Sequence, residues 1–307
     1  MPPVFDPHSP EARAISVLFA QTLVVCAAIG LLVAVLVGYC VVRFRARPGD
    51  PAPAENPGNK RLEAVWTAVP LGILVLLFIL TARTVGAADP PVDREPDLVV
   101  VGHQWWWEAT YKEGAVTANE IHIPVGRKVL VRIESADVIH DFWVPQLARK
   151  IDAIPGHPGF IWMEADAPGP YVGTCAEYCG VEHAWMRILV IAEPQAEFDA
   201  WLAHESHPAS ALSSDEAAAR GAKVFQEKTC INCHAVAGSA HDARVAPSLT
   251  HLAERKTLGA GVIGNTPADL AHWLRDPQGV KQGCHMPNLN LTDPEVNDLV
   301  TYLETLK

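Results

Sequence analysis

One segment of the sequence combines cysteine, histidine and methionine at close spacing. Cys175, Cys179, His183 and Met186 lie within twelve consecutive residues, and His140 lies upstream in DVIHDFWVP. Thiolate, imidazole and thioether are the soft and borderline donors that select copper. Two cysteines on one loop can place both sulfurs as bridges between two copper ions, with the histidines as terminal ligands and the methionine as a weak axial ligand. The pattern predicts a dinuclear copper site.

A disulfide between Cys175 and Cys179 is the alternative for this segment, and an oxidising compartment would permit it. It would explain neither the histidines nor the methionine. The ligand types at fixed spacing favour the copper site.

A second cysteine pair predicts a covalently attached haem. Cys230, Cys233 and His234 form the C-x-x-C-H sequence, in which two thioether bonds hold the porphyrin and the histidine ligates the iron. A thioredoxin-like C-x-x-C motif is the alternative, but no βαβ pattern surrounds this one. The motif predicts a c-type haem.

Met286 is the predicted second ligand of the haem iron. It stands in HMPNLNLTDPEV before the last predicted helix, where small class I cytochromes c, which this pattern resembles, carry theirs. Methionine opposite histidine raises the haem potential, as suits an electron carrier. His285 is the serious rival, and the other candidate ligands are His241, His251 and His272.

Two apolar runs predict a transmembrane hairpin with helices at about 15–42 and 64–84. Each is long enough to cross the roughly 30 Å hydrocarbon core, and Pro70 is tolerable in the second. A cleaved signal peptide is the alternative for the first run, but it lacks a basic leading region and a cleavage site. The basic loop residues place the loop in the cytoplasm; they are Arg43, Arg45, Arg47, Lys60 and Arg61. We expect a multi-pass protein of the bacterial inner membrane, with both termini and the copper and haem domains on the periplasmic side.

The rest of the chain divides by its pattern into a β-rich and a helical part. We predict a hairpin domain at 1–90, an all-β cupredoxin-like sandwich or barrel at 91–200, a linker at 201–212 and an all-α class I cytochrome c domain at 213–307. Ser213 with Glu216, and Thr292 with Glu295, predict capping boxes. The last helix should bury one face; this face comprises Val296, Leu299, Val300, Leu303 and Leu306.

The negative charge is concentrated in the predicted β domain. Residues 91–200 hold 8 basic and 17 acidic residues, a net −9 of the total −11. An acidic surface suits a basic protein partner and argues against nucleic acid binding. A solvated face that keeps the domain soluble explains it about equally well.

The motifs together resemble subunit II of cytochrome c oxidase. The hairpin, GHQWWW, DVIHDFWVP, DAIPG and CAEYCGVEHAWM carry the resemblance over residues 10–195, and the C-terminal cytochrome c extends it to the caa-type terminal oxidases. The resemblance implies that the Glu177 carbonyl ligates copper while its side chain binds a magnesium ion shared with subunit I. It also implies that electrons reach the copper through Trp105, and that Glu63 lies at the mouth of a proton pathway.

Two of these implied roles have structural alternatives. A run of three tryptophans in a β domain is more often part of the core than an electron port. Glu63 could simply mark a helix start, where an acidic side chain interacts favourably with the helix dipole.

The resemblance implies an electron-transfer subunit that works with subunits I and III of a proton-translocating oxidase. Electrons would pass from cytochrome c or another donor to the haem, then to copper A, then to haem in subunit I, where oxygen is reduced to water. We expect no oxygen-reduction site in this chain. A copper-free quinol oxidase-type structural subunit and a stand-alone membrane-bound electron carrier are the alternatives.

Overall fold

The computed structural model describes residues 2–51, 57–90, 94–209, 215–238 and 243–307. The chain forms two compact units. One comprises Arg13–Ala88, and the other combines Met1–Ala12 with Asp89–Lys307.

The smaller unit consists of two long apolar helices. Helix α1 spans Pro10–Arg43 and α2 spans Lys60–Ala88, with Pro70 inside α2. Their most apolar windows have mean hydropathies of 2.7 and 2.4, and neither window is buried in protein. Both helices extend past the predicted apolar runs into polar residues, because helical hydrogen bonding does not require an apolar environment. The predicted pair of N-terminal helices is confirmed.

Ten strands form the β part of the larger unit as two five-stranded sheets. The first sheet has the order β3-β2-β1-β5-β8 and the second β4-β10-β9-β6-β7. The strands are β1 Leu98–His103, β2 Trp106–Tyr111, β3 Val116–Ala118, β4 Glu120–Pro124, β5 Val129–Ser135, β6 His140–Trp143, β7 Ile151–Ala153, β8 Gly159–Met163, β9 Gly169–Cys175 and β10 Arg187–Glu193.

The core of this sandwich is apolar and aromatic. Trp107 from the first sheet meets Phe142 from the second edge to face, with ring centroids 5.3 Å apart, and neither side chain is exposed. Strand β1 shows the alternating burial of a strand with one face on the core. The predicted cupredoxin-like sandwich is confirmed.

Strand register brings the predicted copper residues to one end of the second sheet. Antiparallel β6 and β9 pair Phe142 with Cys175. The loop that follows β9 closes on itself, because the Cys175 amide donates to the Met186 carbonyl at 3.0 Å. His140, at the start of β6, therefore lies beside this loop.

Helix α3, Gln195–Glu205, packs on the sandwich and spans the predicted domain limit at residue 200. Phe198 is buried, and Trp201 stacks on His122 with centroids 4.0 Å apart. The domain limits themselves remain predictions.

The C-terminal part is helical. It contains α4 Glu216–Glu227, α5 Pro267–Arg275, α6 Pro277–Val280 and α7 Asp293–Leu303, with short turns at Cys230–Asn232 and Leu252–Glu254 and a small β11–β12 ladder of Thr257–Leu258 and Ile263–Gly264. Helices α4 and α7 cross closely at Gly221, where a Cβ atom would come within 2.0 Å of the Asp298 carbonyl oxygen. The predicted helical cytochrome c domain is confirmed.

The ends and faces of these helices test the sequence predictions directly. Thr292 and Glu295 form the expected capping box, and all five predicted core residues are buried. The prediction that Leu306 lies on the last helix is wrong, because α7 ends at Leu303. Ser213 lies outside the described residues. The Asp215 carboxylate caps α4 by accepting from the Ala217 amide at 2.7 Å.

Candidate copper and haem sites

The two cysteine sulfurs of the β domain lie side by side without a bond between them. Cys175 Sγ and Cys179 Sγ are 3.8 Å apart, and both residues are buried. A disulfide would bring the sulfurs to about 2.05 Å. The disulfide alternative is therefore wrong for this structure, and both sulfurs are available as ligands.

The predicted copper donors converge on these sulfurs. Cys179 Sγ lies 3.8 Å from His183 Nδ1 and 3.9 Å from Met186 Sδ, while Cys175 Sγ lies 3.2 Å from the Glu177 carbonyl oxygen. This set of sulfur, nitrogen and carbonyl donors fits copper, because soft sulfur ligands favour that metal.

His140 completes the cluster from strand β6. Its side chain is fully buried, and one of its ring nitrogens lies within 4.8 Å of both sulfurs. Asp137 accepts a hydrogen bond from Nε2 at 2.8 Å, so Nδ1 keeps its lone pair, and among the described residues it has no hydrogen-bond partner. A carboxylate that fixes the histidine tautomer in this way is the usual support for a metal ligand.

The site favours ionisation of one cysteine. The hydrogen bond from the Cys179 thiol lowers the pKa of the Cys175 thiol well below its usual range. A thiolate is the form that ligates metals. The protein thus prepares a charged sulfur at the position where copper is predicted.

Trp105 lies directly against the copper loop. Its side chain is 8% exposed, and its Nε1 donates to the Cys179 carbonyl at 3.0 Å. Gly180 has a φ of +124°, and a Cβ atom there would come within 2.8 Å of the Trp105 ring. Trp107 belongs to the core, whereas Trp106 stacks on His103. The core interpretation thus fits both Trp105 and Trp107, which belong to one buried cluster. Trp105 additionally contacts the copper loop.

The C-x-x-C-H motif forms a turn that orients its histidine. The Pro247 carbonyl accepts a hydrogen bond from His234 Nδ1 at 2.7 Å, which leaves Nε2 free. Burial lowers the pKa of the His234 imidazole, so the neutral form required of a metal ligand is favoured.

A cavity of about 400 Å³ lies against this turn, within the size range of ligand and cofactor pockets. Its walls are mostly apolar and include the two motif cysteines, His234 and Met286. His285 also lines it, so the rivalry with Met286 stays open. His251 and His272 do not line it, and His241 lies outside the described residues.

The cavity is bordered by both domains, through contacts that the sequence did not predict. Lys281 Nζ donates to the Trp105 carbonyl at 2.9 Å and lies 3.3 Å from Glu182 Oε2, and both Lys281 and Glu182 are buried. The His285 ring lies 5.0 Å from the Trp105 ring. Nothing in the local sequence marks Lys281 or Glu182, because their partners are distant in the chain.

A second interdomain contact centres on a buried carboxylate. Glu120 accepts from the Lys256 and Thr257 amides and from the Thr257 hydroxyl, at distances of 2.8 to 2.9 Å to Oε1. The only sequence signal is an acidic residue at the start of the apolar β4 strand.

Two further predicted site residues have ordinary surroundings in this structure. Glu63 lies in the first turn of α2, as its helix-start alternative requires. Glu177 Oε1 accepts from the Tyr178 amide at 3.0 Å. Their roles remain predictions.

The fold and these two sites define a class: a membrane-anchored electron-transfer protein with a copper-type β domain and a cytochrome c domain. Family models match it in three parts, the cytochrome c oxidase subunit II transmembrane domain at residues 4–82, its periplasmic domain at 113–193, and cytochrome c at 218–307. The last two matches imply copper and haem.

Full-length relatives identify the family. Cytochrome c oxidase subunit 2 of Alkalihalophilus pseudofirmus is 36% identical, covering 98% of this chain and 90% of that protein. The Bacillus subtilis protein of the same name is 34% identical over 88% and 82%. The chain belongs to the cytochrome c oxidase subunit 2 family, whose members are components of haem-copper oxidases.

Among solved structures, the periplasmic domain of subunit II of cytochrome oxidase from Bradyrhizobium japonicum is similar. It is 31% identical, covers 36% of this chain and 95% of that chain, and has a TM-score of 0.35.

Proposed function

We propose that this chain is the electron-accepting subunit of a proton-translocating terminal oxidase. Electrons pass from cytochrome c or another external donor to its own c-type haem, then to its dinuclear copper A centre, and on to haem in subunit I, where oxygen is reduced to water. The contact between Trp105 and Cys179 carries this proposal, because Trp105 borders the haem cavity and also bonds to the copper loop.

The residues of the chain would hold and shield the two groups. The copper ligands are His140, Cys175, Cys179, His183 and Met186, with the Glu177 carbonyl. Cys230 and Cys233 bind the haem covalently, and His234 and Met286 ligate its iron. Copper and haem supply the one-electron redox chemistry. His140, Cys175, Cys179 and Met186 are buried, which would keep water from the copper ligands and fix their geometry.

We propose further parts of the assembly from the resemblance to the family. The Glu177 side chain binds a magnesium ion shared with subunit I, and Glu63 lies at the mouth of a proton pathway. The hairpin docks against subunit I and, with it, subunit III. Both termini and both cofactor domains lie on the periplasmic side, and the oxygen-reduction site lies outside this chain.

The sulfur cluster separates this proposal from its alternatives. A copper-free quinol oxidase-type subunit would not need two adjacent buried cysteine sulfurs with three further metal-binding side chains beside them. A stand-alone membrane-bound electron carrier would need neither Glu63 nor a hairpin suited to a partner.

Metal and haem stoichiometry tests the proposal. We expect two coppers and one haem per chain in the purified full-length protein, measured by elemental analysis and optical spectroscopy. Cys175→Ser should abolish the copper bands and leave the haem bands. Cys26→Ser, in α1, is the matched control and should retain both. One copper or none in the unmodified chain would contradict the dinuclear site.

A further inference from the structure

A third cluster of metal-binding residue types shares no residue with the predicted copper ligands or with the lining of the haem cavity. It comprises His204, in the last turn of α3, with His251 and Glu254 at the Leu252–Glu254 turn. One donor atom of each residue lies within 4.8 Å of the other two. The cluster therefore joins the helix that packs on the sandwich to the cytochrome c part.

His251 has the feature that an ordinary surface cluster lacks. It is 2% exposed, and its Nε2 donates to the His207 carbonyl at 2.9 Å. That bond fixes the tautomer and leaves a lone pair on Nδ1. Nδ1 is buried and has no hydrogen-bond partner in the described part of the chain. A buried acceptor in this state is a position where an ion or a water molecule can bind.

The distance between the donor atoms of His204 and Glu254 matches that between two ligands of one metal ion. His204 Nε2 is 3.3 Å from Glu254 Oε2, and the His204 and His251 ring centroids are 4.8 Å apart. Two ligands with bonds of about 2.05 Å to a tetrahedral zinc ion lie about 3.3 Å from each other. His204 and Glu254 are partly exposed, so water can reach a fourth position.

We propose that His204, His251 and Glu254 bind a divalent transition-metal ion, with zinc as the best match. Two imidazole nitrogens and one carboxylate form a set of borderline donors that suits zinc. Calcium and magnesium prefer all-oxygen sites. The bound ion would fasten α3 to the cytochrome c domain and would act separately from the copper and haem sites.

The competing explanation is a plain ion pair between protonated His204 and Glu254. Exposed pairs of this kind contribute little to stability. Such a pair also leaves His251 Nδ1 without a partner. The metal site accounts for all three residues at once.

Zinc binding to the full-length, detergent-solubilised protein tests the proposal. Copper and haem contents are measured first, so that added Zn²⁺ is counted beyond them by elemental analysis and titration calorimetry. We expect one zinc ion per chain, with nitrogen from imidazole and oxygen as neighbours in its X-ray absorption spectrum. Zinc should also raise the melting temperature of the unmodified chain.

Variants at the two partly exposed positions keep the test independent of folding. His204→Asn and Glu254→Gln should each weaken zinc affinity by at least about tenfold, since even outer partners of a metal ligand cost that much. His157→Asn, at an exposed histidine of the sandwich, is the control and should bind as the unmodified chain does. No zinc uptake, or equal uptake by all four proteins, would overturn the proposal.

Discussion

The indole Nε1 of Trp105 donates a hydrogen bond to the main-chain carbonyl of Cys179, one residue before the glycine that makes room for the ring. The same carbonyl also accepts from Gln104 Nε2 at 2.8 Å. If the indole hydrogen bond were lost, the Cys179 carbonyl would therefore still accept a hydrogen bond from Gln104. A variant that removes only the indole bond therefore tests the proposed role of Trp105 in electron transfer with little effect on this carbonyl.

Trp105→Phe should slow electron transfer from haem to copper while both cofactors stay bound. The phenyl ring keeps most of the apolar contact but lacks the donor, so we expect a stability loss of only about 1 kcal/mol. Stopped-flow or flash-photolysis kinetics on the full-length protein measures the rate. Trp162→Phe is the control, because Trp162 lies against Arg94 and Lys128 instead. Equal rates in both variants would rule out a role for Trp105.

Lys281→Met should destabilise the protein because it leaves Glu182 buried without its cation. Removing one partner of a buried ion pair costs about 3–5 kcal/mol. Neither carboxylate oxygen of Glu182 has a hydrogen-bond partner among the described residues, so the loss of the cation is not compensated locally. Chemical denaturation measures the change.

A double variant provides the control for this pair. Lys281→Met with Glu182→Gln removes both charges and should recover most of the stability. If the single and double variants are equally unstable, the charge pairing is not the cause.

Glu120→Gln should weaken the contact between the sandwich and the cytochrome c domain. Three donors converge on the Glu120 carboxylate, and an amide offers one acceptor oxygen in place of two charged ones. We expect a loss of about 1–3 kcal/mol, measured by thermal denaturation followed at the haem bands. Glu134→Gln, which breaks only the surface pair with Arg132, should change stability by less than about 1 kcal/mol.

His122 should make the fold sensitive to acid. Burial lowers the pKa of its imidazole, although Glu193 accepts a hydrogen bond from Nδ1 at 3.0 Å. The folded state therefore favours neutral His122. Its contribution to stability is full above the unfolded pKa of about 6.5 and falls as the pH drops below that value towards the folded pKa.

Melting curves between pH 8 and pH 5 test this prediction. His122→Gln should lose less stability on acidification than the unmodified chain, whereas His157→Gln, at the surface, should follow the unmodified chain. Parallel loss in all three proteins would show that other groups control the acid response.

The sequence predicted those parts of the sites whose residues are close in the chain. Cys175, Cys179, His183 and Met186 occupy one loop, and their types alone restrict the metal. His140 was predicted from its neighbours in DVIHDFWVP, and the β6–β9 register explains its position. The helical face of the last helix followed from its periodicity.

The interdomain contacts could not be predicted, because they join residues that are distant in the chain. Lys281 and Trp105 are 176 residues apart, and neither belongs to a spacing pattern that includes the other. His251 illustrates the same limit. The sequence analysis included His251 among the candidate haem ligands, whereas in the structure it does not line the haem cavity and lies beside His204.

The buried Glu120 carboxylate also limits how such chains can recombine. Its three donors come from Lys256 and Thr257, so the sandwich of this protein is matched to its own cytochrome c domain. A hybrid that joined this sandwich to the haem domain of another species would bury an acidic group unless the new domain presented equivalent donors. Exchange of either domain therefore requires matching hydrogen-bond partners at this contact.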